Sequence, residues 1–352
     1  MKERTIRLFS VGTLLWFALH GVALAQEEPA RSPWLAVPLV SSDPKVGTSF
    51  GGMAGYLHSF DDASPVSLFA LTAKYSNTDS FTAGLFTQTY FGSDRHRVSG
   101  GIATGKIRND YDDFLGSGLP AQTTDDLRFG GARYLYRIAD GWYGGVQAVA
   151  TNYVIQSEDA AIEGDLEILG LTGFDSNGIG LVFTFDNRDN TRSPTHGRQV
   201  AINNLAYREA LGGDASFDVY QFKYREYLPH GQGHVLAYRA QARFTDDAPE
   251  SAYSSIALRG YTRGNYLAPN SMLVEAEERY RIHPRWSLAG FAGAACLFDG
   301  MSDCGESDSW YPEAGLGVIF DLKPAAGMVV RLNYAKGEED NSGLYLAFGQ
   351  AF

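Results

Sequence analysis

The sequence predicts an all-β protein, a transmembrane antiparallel β-barrel of sixteen strands. Apolar and polar residues alternate in stretches of roughly 10 residues, the length that a tilted strand needs to cross a bilayer. The 352-residue chain is 44% hydrophobic and 13% aromatic and contains 40 Gly, yet its mean hydropathy is −0.20. After residue 25 it has no run of about 20 apolar residues, which a transmembrane helix requires. These observations exclude a helical membrane protein.

Composition and charge also narrow the functional class. The abundance of aromatic residues argues against a disordered chain. The formal net charge is −12, whereas a nucleic-acid-binding protein usually carries a basic patch. We therefore expect no nucleic-acid partner.

The first 25 residues are predicted to be a secretory signal peptide. Positive residues come first, at Lys2, Arg4 and Arg7. A largely apolar stretch follows, and the small-x-small cleavage site Ala23-Leu24-Ala25 closes it. An uncleaved anchor helix is the alternative, and the cleavage site argues against it. Residues 26–352 remain as a single barrel domain.

The predicted strand 214–227 illustrates why a barrel is favoured over a soluble sheet. Tyr220 and Phe222 share one face, while Lys223 and Arg225 share the other. In a soluble sandwich the charged face would be the solvent side, but such strands are typically about 5 or 6 residues long. In an outer-membrane barrel the charged face lines a polar lumen and the apolar face meets lipid. Strand length and the signal peptide favour the barrel.

Sixteen strands can be placed along the chain. The predicted bounds are 33–41, 47–60, 66–77, 80–91, 97–108, 127–138, 141–157, 177–187, 198–209, 214–227, 233–245, 271–282, 286–297, 311–322, 327–336 and 343–352. An even number places both ends of the barrel on the periplasmic side. The periplasmic connections are mostly short, while the external ones include the long segments 109–126, 158–175, 246–270 and 298–310.

Aromatic residues near strand ends are typical of a barrel in a membrane. Six are predicted to form the interfacial girdles: Trp34, Trp142, Tyr143, Trp286, Trp310 and Tyr311. The last strand ends in Phe352 and shares its apolar face with Phe348, although Gln350 interrupts that face. Such a terminal strand is the signal that barrel assembly machinery engages. We expect that machinery and outer-membrane lipids to be the partners.

No pattern of residues points to catalysis, a cofactor or a metal ion. The seven His residues are scattered, and His230 and His234 flank the glycines of a turn. Gly178-Ile179-Gly180 lacks the following helix that a dinucleotide-binding loop requires. No G-x-S-x-G elbow is present, so an embedded hydrolase is an alternative without a supporting motif. We expect no enzyme activity, no cofactor and no metal site.

Cys296 and Cys304 are the only two cysteines of the chain. Export would bring them into an oxidising compartment, where they can pair. A bond between them would close a short external loop, and two free thiols are the alternative. We expect a structural disulfide.

Three short motifs follow one another in the second half of the chain. A polar turn of the form D-x-R-D-x-x-x-x-P-x-x-G contains Asp186, Arg188, Asp189, Pro194 and Gly197. Arg259-Gly260-Tyr261 lies in the longest predicted loop, and Glu277-x-Arg279 lies in the strand after it. In this order and spacing, residues 178–352 resemble the BamA/TamA superfamily of outer-membrane barrels, also called the bacterial surface antigen family.

The resemblance implies a sixteen-stranded barrel whose sixth external loop folds into the lumen. The tip of that loop would contact the inner wall. A guanidinium in a confined lumen needs a carboxylate, and Glu277 and Arg279 share one face of their strand. We hypothesise that Arg259 pairs with Glu277, that Gly260 allows close approach and that Tyr261 wedges against the wall.

The chain departs from the family pattern at two places, near Gly293 and at its N-terminus, and Glu278 departs from the strand alternation. Many members carry an aspartate facing the arginine on the strand after E-x-R, whereas Gly293 stands nearest to that position here. Strict alternation would turn Glu278 toward lipid, so a bulge or a register shift is expected there. Only residues 26–33 precede the first predicted strand, so the chain is expected to be a short member without the family's periplasmic N-terminal domains.

The resemblance implies a function in the outer membrane. The first candidate is a role in outer-membrane biogenesis or in protein or lipid transport, with lateral opening between the first and last strands. A passive or solute-selective pore is the alternative, which an inserted loop would obstruct. A structural surface protein is the third candidate.

Overall fold

Sixteen antiparallel strands close into one barrel, which confirms the predicted fold class. The structure, a computed structural model, describes residues 32–43, 47–111, 121–157, 174–261, 266–338 and 341–350. The expected signal peptide and the terminal Phe352 lie outside the described residues, as do parts of the long loops predicted at 109–126 and 158–175.

The strand bounds follow the sequence pattern closely. The barrel strands are β1 (Trp34–Asp43), β2 (Gly47–His58), β3 (Ser67–Ser76), β4 (Phe81–Phe91), β5 (His96–Tyr111), β6 (Ala121–Ala139), β7 (Trp142–Ser157), β8 (Phe174–Asp186), β9 (Gly197–Tyr207), β10 (Phe217–His230), β11 (His234–Asp246), β14 (Asn270–His283), β15 (Trp286–Phe298), β16 (Trp310–Lys323), β17 (Met328–Lys336) and β18 (Ser342–Phe348). Two short strands, β12 (Ser254–Ser255) and β13 (Leu267–Ala268), pair with each other between β11 and β14. Predicted and observed bounds agree to within three residues, except at the start of β6 and the end of β18. β6 begins early because its ladder with β5 continues as far as Tyr111 and Ala121.

The barrel has two distinct ends. Each barrel strand pairs with its neighbours in the chain, and β1 pairs with β18 to close the ring. One end carries short turns such as 140–141 and 231–233, together with the start of β1 and the end of β18; we call it the short-turn end. The opposite, long-loop end carries 247–269 and 299–309.

Alternation along each strand separates the outer surface from the interior. On β10, Tyr220 and Phe222 point outward and are 48% and 37% exposed. Lys223 and Arg225 occupy the opposite face. Apolar positions outside and charged positions inside are typical of a barrel embedded in lipid. Within the part of the chain that the structure describes, no helix is long and apolar enough to cross a membrane.

The same alternation corrects the predicted aromatic girdles. Trp34 and Trp142 lie on the outer surface, where they are 65% and 40% exposed. Tyr143, the neighbour of Trp142, is instead buried and faces the interior. Tyr311 likewise packs against Tyr261. Adjacent residues of a strand face opposite surfaces, so only one of each neighbouring pair belongs to a girdle.

The expected bulge at Glu278 is wrong. Along the described length of β14 the register continues unbroken through Glu278, both toward β11 and toward β15. The irregularity of β14 lies nearer its end, between Arg281 and His283. Glu278 therefore faces outward, and its Oε1 lies 3.0 Å from His230 Nε2 near the short-turn end. A polar partner at the rim of the wall accommodates the carboxylate without breaking the alternation.

β18 ends at Phe348, earlier than predicted. Gly349 has a φ of +95°, a left-handed conformation that glycine adopts readily and that turns the chain out of the strand. Its N–H donates to Val329 O at 2.9 Å. Gln350, expected on the apolar face, instead donates to Ser193 Oγ at 3.0 Å.

The junction between β1 and β18 is the shortest ladder of the described barrel. Only Val40–Ser42 pair with Leu344–Leu346, in three residue pairs, whereas β1 and β2 share ten. Apolar side chains pack beside this junction. The buried members are Leu35, Val37, Met53, Leu68, Ala70 and Met328, and Phe348 and Val330 pack against them. Side-chain packing therefore continues the closure of the barrel where the ladder stops.

Candidate functional site

The charged interior of β14 arises from simple alternation. Glu275, Glu277 and Arg279 occupy every second position and are buried, while Val274 and Tyr280 point outward. A strand that presents apolar groups to lipid must place its charges in the confined interior. Each of those charges then needs a partner of opposite sign.

Arg259 lies in the chain segment that connects β11 to β14, and its side chain contacts the inward face of β14. Its Nη1 is 3.1 Å from Glu277 Oε2, and its Nη2 donates to Glu275 Oε1. Its Cζ is 3.3 Å from the ring centre of Phe291, so the guanidinium stacks on that ring. Two carboxylates and an aromatic face together suit the planar guanidinium of Arg rather than the ammonium of Lys.

The residues that follow Arg259 fix the position of the chain. Gly260 has a φ of +90°, and a Cβ there would lie 3.1 Å from Gly337 N. Both the conformation and the close approach therefore require glycine. The Tyr261 hydroxyl donates to Pro312 O at 2.6 Å and accepts from Glu338 N at 2.9 Å. The tip is thus anchored to β16 and to the end of β17.

Glu277 is the common acceptor of three arginines. Besides Arg259, it accepts from Arg279 Nε at 2.8 Å and from Arg331 Nη2 at 2.6 Å. The Glu277 side chain is fully buried, and those of Arg279 and Arg331 are nearly so. Charge-assisted hydrogen bonds in such surroundings are strong, and losing one partner leaves a buried charge uncompensated.

Arg331 connects Glu277 to the end of the barrel chain. It lies on β17 and also donates from Nη1 to Gln350 Oε1 at 3.1 Å. Its Nε lies 3.3 Å from Asn333 Oδ1. Gln350 in turn contacts Ser193 of the polar turn. The residue that follows the Gly349 bend is therefore part of the same network as the Arg259 segment.

The polar turn at 187–196 is ordered by its acidic residues. Asp186 accepts from Arg188 Nε and from Arg97 Nη1, both at 2.7 Å. Gly197 has a φ of +94°, and a Cβ there would lie 2.5 Å from Asn187 O. Glycine is thus required where the turn enters β9.

Asp189 holds the second half of this turn. It accepts from the Thr195 hydroxyl at 2.6 Å, from Thr195 N at 2.9 Å and from His196 N at 3.2 Å. Burial by itself would raise the pKa of Asp189, but these hydrogen bonds outweigh it and hold the pKa below its ordinary value.

The three sequence motifs meet at β14. Arg279 Nη1 donates to Pro194 O at 3.3 Å, which joins the polar turn to the E-x-R strand. Arg259 joins the same strand through Glu277. Phe348 and the two cysteines lie elsewhere: Phe348 packs in the apolar cluster at the junction of β1 and β18, and the cysteines lie at the long-loop end.

The cysteines form a disulfide at the start of the loop after β15. Cys296 is buried in β15, and Cys304 lies in a short 3₁₀ turn, with a Cα–Cα distance of 5.9 Å. The Trp310 indole N–H donates to Cys304 O at 2.8 Å. The bond therefore ties the loop 299–309 to the wall.

Several members of the charged network were not predicted from sequence. Arg239 Nε donates to Glu275 Oε2 at 2.8 Å, so Glu275 serves two arginines. Gly293, where an aspartate was expected, lies opposite Glu275 on one side and Glu313 on the other. A Cβ at Gly293 would lie 2.7 Å from Val274 O. Carboxylates from the two flanking strands thus occupy the region where the aspartate was expected, and only the cross-strand register places them there.

The ion pairs of this arrangement can hold the Arg259 segment against β14. Glu275 and Glu277 are both engaged by guanidinium groups. Within the described ranges, no group of three or more His, Cys, Asp or Glu is placed to hold a metal ion. A buried ion cluster is weak evidence of net stability, but it fixes geometry, here the position of the Arg259 segment against β14.

Comparison with known proteins gives structural similarity and no sequence match. No protein-family model and no curated protein matches the sequence. BamA from Haemophilus ducreyi lacking POTRA domains 1–3 is similar with a TM-score of 0.58 and 13% identity, over 91% of this chain and 70% of that one. CdiB from Acinetobacter baumannii and CdiB from Escherichia coli both give a TM-score of 0.57 and 10% identity over 90% of this chain. The chain spans 59% and 62% of the length of these two CdiB proteins. At such identities the similarity concerns the fold, and the chain therefore has the sixteen-stranded barrel fold of BamA and CdiB.

Proposed function

We propose that the protein resides in the bacterial outer membrane and acts there in membrane biogenesis or in the transport of protein or lipid. In this proposal the junction of β1 and β18 opens sideways. The short ladder at that junction is the observation that carries the proposal. Outer-membrane lipids and the barrel assembly machinery are its proposed partners, and the protein is proposed to work without catalysis or a cofactor.

The energetics favour this junction as the place of opening. Separating two strands in lipid leaves backbone groups without hydrogen-bond partners, at a cost of several kcal/mol for each group. Three residue pairs join β1 to β18, and ten join β1 to β2. Far fewer hydrogen bonds must therefore break to part β1 from β18 than to part β1 from β2.

The segment 247–269 is proposed to plug the lumen. Its contacts through Arg259, Gly260 and Tyr261 reach three strands of the wall, β14, β16 and β18. A plug in this position obstructs passage along the barrel axis. Movement between the membrane and the lumen would then use the junction of β1 and β18.

A reversible lock on the junction tests the proposal. The variant Val40→Cys/Leu346→Cys joins β1 to β18 at a paired position, and Val40→Cys/Phe50→Cys joins β1 to β2 in the same way. Each would be expressed in a strain that lacks the native gene, with outer-membrane permeability to a large antibiotic as the readout.

The two locked variants should behave differently. The β1–β18 lock should fail to restore the membrane barrier until a reductant is added, while the β1–β2 lock should restore it throughout. Full restoration by both oxidised proteins would contradict the opening of the junction.

A solute-selective pore is the second candidate, favoured by interior cations such as Arg133 and Lys223. Planar-bilayer recordings of the refolded barrel, with and without residues 250–268, separate the two. Large steady channels in the intact protein support the pore. If the intact protein shows no conductance and the protein without residues 250–268 forms channels, the result supports a plugged barrel.

A further inference from the structure

A polar cavity of about 260 Å³ lies inside the barrel near the short-turn end. Three guanidinium groups line it, those of Arg188 and Arg192 from the polar turn and that of Arg225 from β10. This volume is far above what a single water molecule needs. The cavity can therefore hold a small ligand or the polar head of a larger one.

The charge of this cavity is not balanced by the protein. Arg188 is paired with Asp186 at 2.7 Å. Arg192 donates to the backbone oxygen of Val66, and Arg225 Nη1 lies 3.4 Å from Gln199 Oε1. These acceptors are neutral, and across the described residues no carboxylate forms an ion pair with Arg192 or Arg225. Two positive charges therefore remain in a largely buried site.

Each of these two arginines also has a donor without an acceptor. Among the described residues, the buried Nε atoms of Arg192 and Arg225 have no hydrogen-bond partner. An unpaired buried donor on a charged group is costly, and an unpaired buried charge is more so. Burial accordingly lowers the pKa of Arg192 below its ordinary value. The site has the features of an anion-binding pocket.

Neighbouring cations strengthen this interpretation. Lys223 lies two positions from Arg225 on the same face of β10. The positive charge of Arg133, on β6, lies close enough to interact electrostatically with Lys223. Arg133 donates to the neutral Gln147 Oε1 at 2.6 Å. The positive potential thus extends along the interior above the cavity and favours a ligand of more than one negative charge.

The remaining lining defines the shape of the ligand. One side of the cavity is apolar, formed by Leu68, Phe86, Met328 and Phe348. A phosphate monoester carries a charge of about −1.5 to −2 near neutral pH, and its oxygens match the fork of a guanidinium. An apolar chain attached to the phosphate would find a surface beside the arginines.

The first cavity has a neighbour near the short-turn end. A second cavity of about 380 Å³ is lined by Arg97, Asp94 and Ser64 and shares Arg188, Thr191 and Arg192 with the first. The polar turn thus separates two cavities and presents Arg192 to both.

We propose that Arg192 and Arg225 bind a phosphate group in the lumenal cavity, either as free phosphate or as the phosphomonoester head of a lipid. The proposal does not rest on the opening of the β1–β18 junction, although Leu68, Met328 and Phe348 of the cavity also belong to the apolar cluster beside that junction. Both sources share the same recognition chemistry, two convergent guanidinium groups with unused donors.

Titration of the refolded barrel in an uncharged maltoside detergent tests the site. Three probes are compared at constant ionic strength in chloride buffer: inorganic phosphate, a lysophosphatidate, and a monoacylglycerol with the same acyl chain. Saturable binding of a phosphate-bearing probe is expected, and the monoacylglycerol should bind at least tenfold more weakly than the lysophosphatidate. A lysophosphatidate that binds at least tenfold tighter than phosphate indicates a lipid head, and comparable affinities indicate free phosphate.

Matched variants assign the binding to the cavity. Arg192→Gln and Arg225→Gln should each raise the dissociation constant at least tenfold. Arg198→Gln is the control: it removes the same charge at the same end of the barrel, but Arg198 is exposed on the outer face of β9. The Arg198→Gln protein should therefore bind the phosphate-bearing probes as tightly as the unsubstituted protein. Absence of saturable binding, or unchanged affinity in the double variant Arg192→Gln/Arg225→Gln, would overturn the proposal.

Thermal unfolding of the unsubstituted protein gives an independent test if a variant fails to fold. A ligand that binds only the folded state raises the melting temperature as its concentration exceeds the dissociation constant. Phosphate should therefore stabilise the barrel relative to chloride at equal ionic strength. Equal melting temperatures up to a large excess of phosphate and of lysophosphatidate would contradict the site.

Discussion

Arg331 Nη2 lies 2.6 Å from Glu277 Oε2, although 54 positions separate the two residues in the chain. The pair joins β17 to β14 across the barrel interior, and both side chains are essentially inaccessible to solvent. Through Arg331 the carboxylate is linked to Gln350, and through its other partners to Arg259 and Arg279. Removal of the Glu277 carboxylate should therefore disturb the contacts of three arginines at once.

Glu277→Gln should destabilise the barrel strongly. The change leaves three buried guanidinium groups short of one negative charge, and breaking a buried pair costs about 3 to 5 kcal/mol. Urea-induced unfolding in micelles, followed by tryptophan fluorescence, measures the free energy. Glu278→Gln is the matched control, because Glu278 faces outward and is 37% exposed; its effect should be below about 1 kcal/mol.

Arg259→Lys should behave like Arg259→Ala rather than like the native residue. An ammonium cannot bridge Glu275 and Glu277 and stack on Phe291 at the same time. Each substitution is expected to cost about 3 kcal/mol. A double-mutant cycle with Glu277→Gln should reveal a coupling energy above about 1 kcal/mol, and strictly additive effects would show that the two side chains do not interact.

Gly337→Ala should displace the tip of the 247–269 segment. A Cβ at this position would lie 2.5 Å from the Tyr261 ring, which is 5% exposed and held at its hydroxyl. Overpacking of this kind typically costs about 1 to 3 kcal/mol. Limited proteolysis should cut the segment faster in this variant. Gly305→Ala, with no atom within 4 Å of the added Cβ, should leave the cutting rate unchanged.

Cys304→Ser should loosen the loop 299–309 while leaving the barrel closed. Opening a ring of this size releases about 2.5 kcal/mol of loop-closure free energy in the chain-entropy model. Hydrogen exchange should rise in the loop and stay constant in β15 and β16. The same pattern should appear in the unsubstituted protein after reduction, and protection lost throughout β15 would show that the bond supports the wall itself.

Acid should weaken the polar turn through Asp189. Its pKa is lower in the folded protein than its ordinary value of 3.8. The stabilisation is therefore complete above about pH 4 and is lost as the pH falls through the folded-state pKa. Hydrogen exchange of the Thr195 amide checks this: the native protein should lose protection below pH 4. Asp189→Asn should show weaker protection that varies much less with pH over that range.

The sequence determined the class of fold because a lipid-facing strand has to alternate. Period-two patterning follows from placing apolar groups outward and charges inward, as Tyr220 and Lys223 do on β10. The long strands follow from the thickness of the bilayer, and an even number of antiparallel strands brings both ends of the barrel to the same side. The positions of Glu275, Glu277 and Arg279 inside the barrel follow from the same rule. The alternation within β14 alone is enough to predict that these three side chains face the interior.

Only the tertiary structure decided which of these charges meet. The register of β14, β15 and β16 sets Gly293 between Glu275 and Glu313, and closure of the ring brings Arg331 to Glu277. The bend at Gly349 carries Gln350 inside, and the convergence of Arg192 with Arg225 depends on where the polar turn folds. Local alternation specifies the direction in which a side chain points, but partners across the lumen are set by register and closure, which depend on all sixteen strands together.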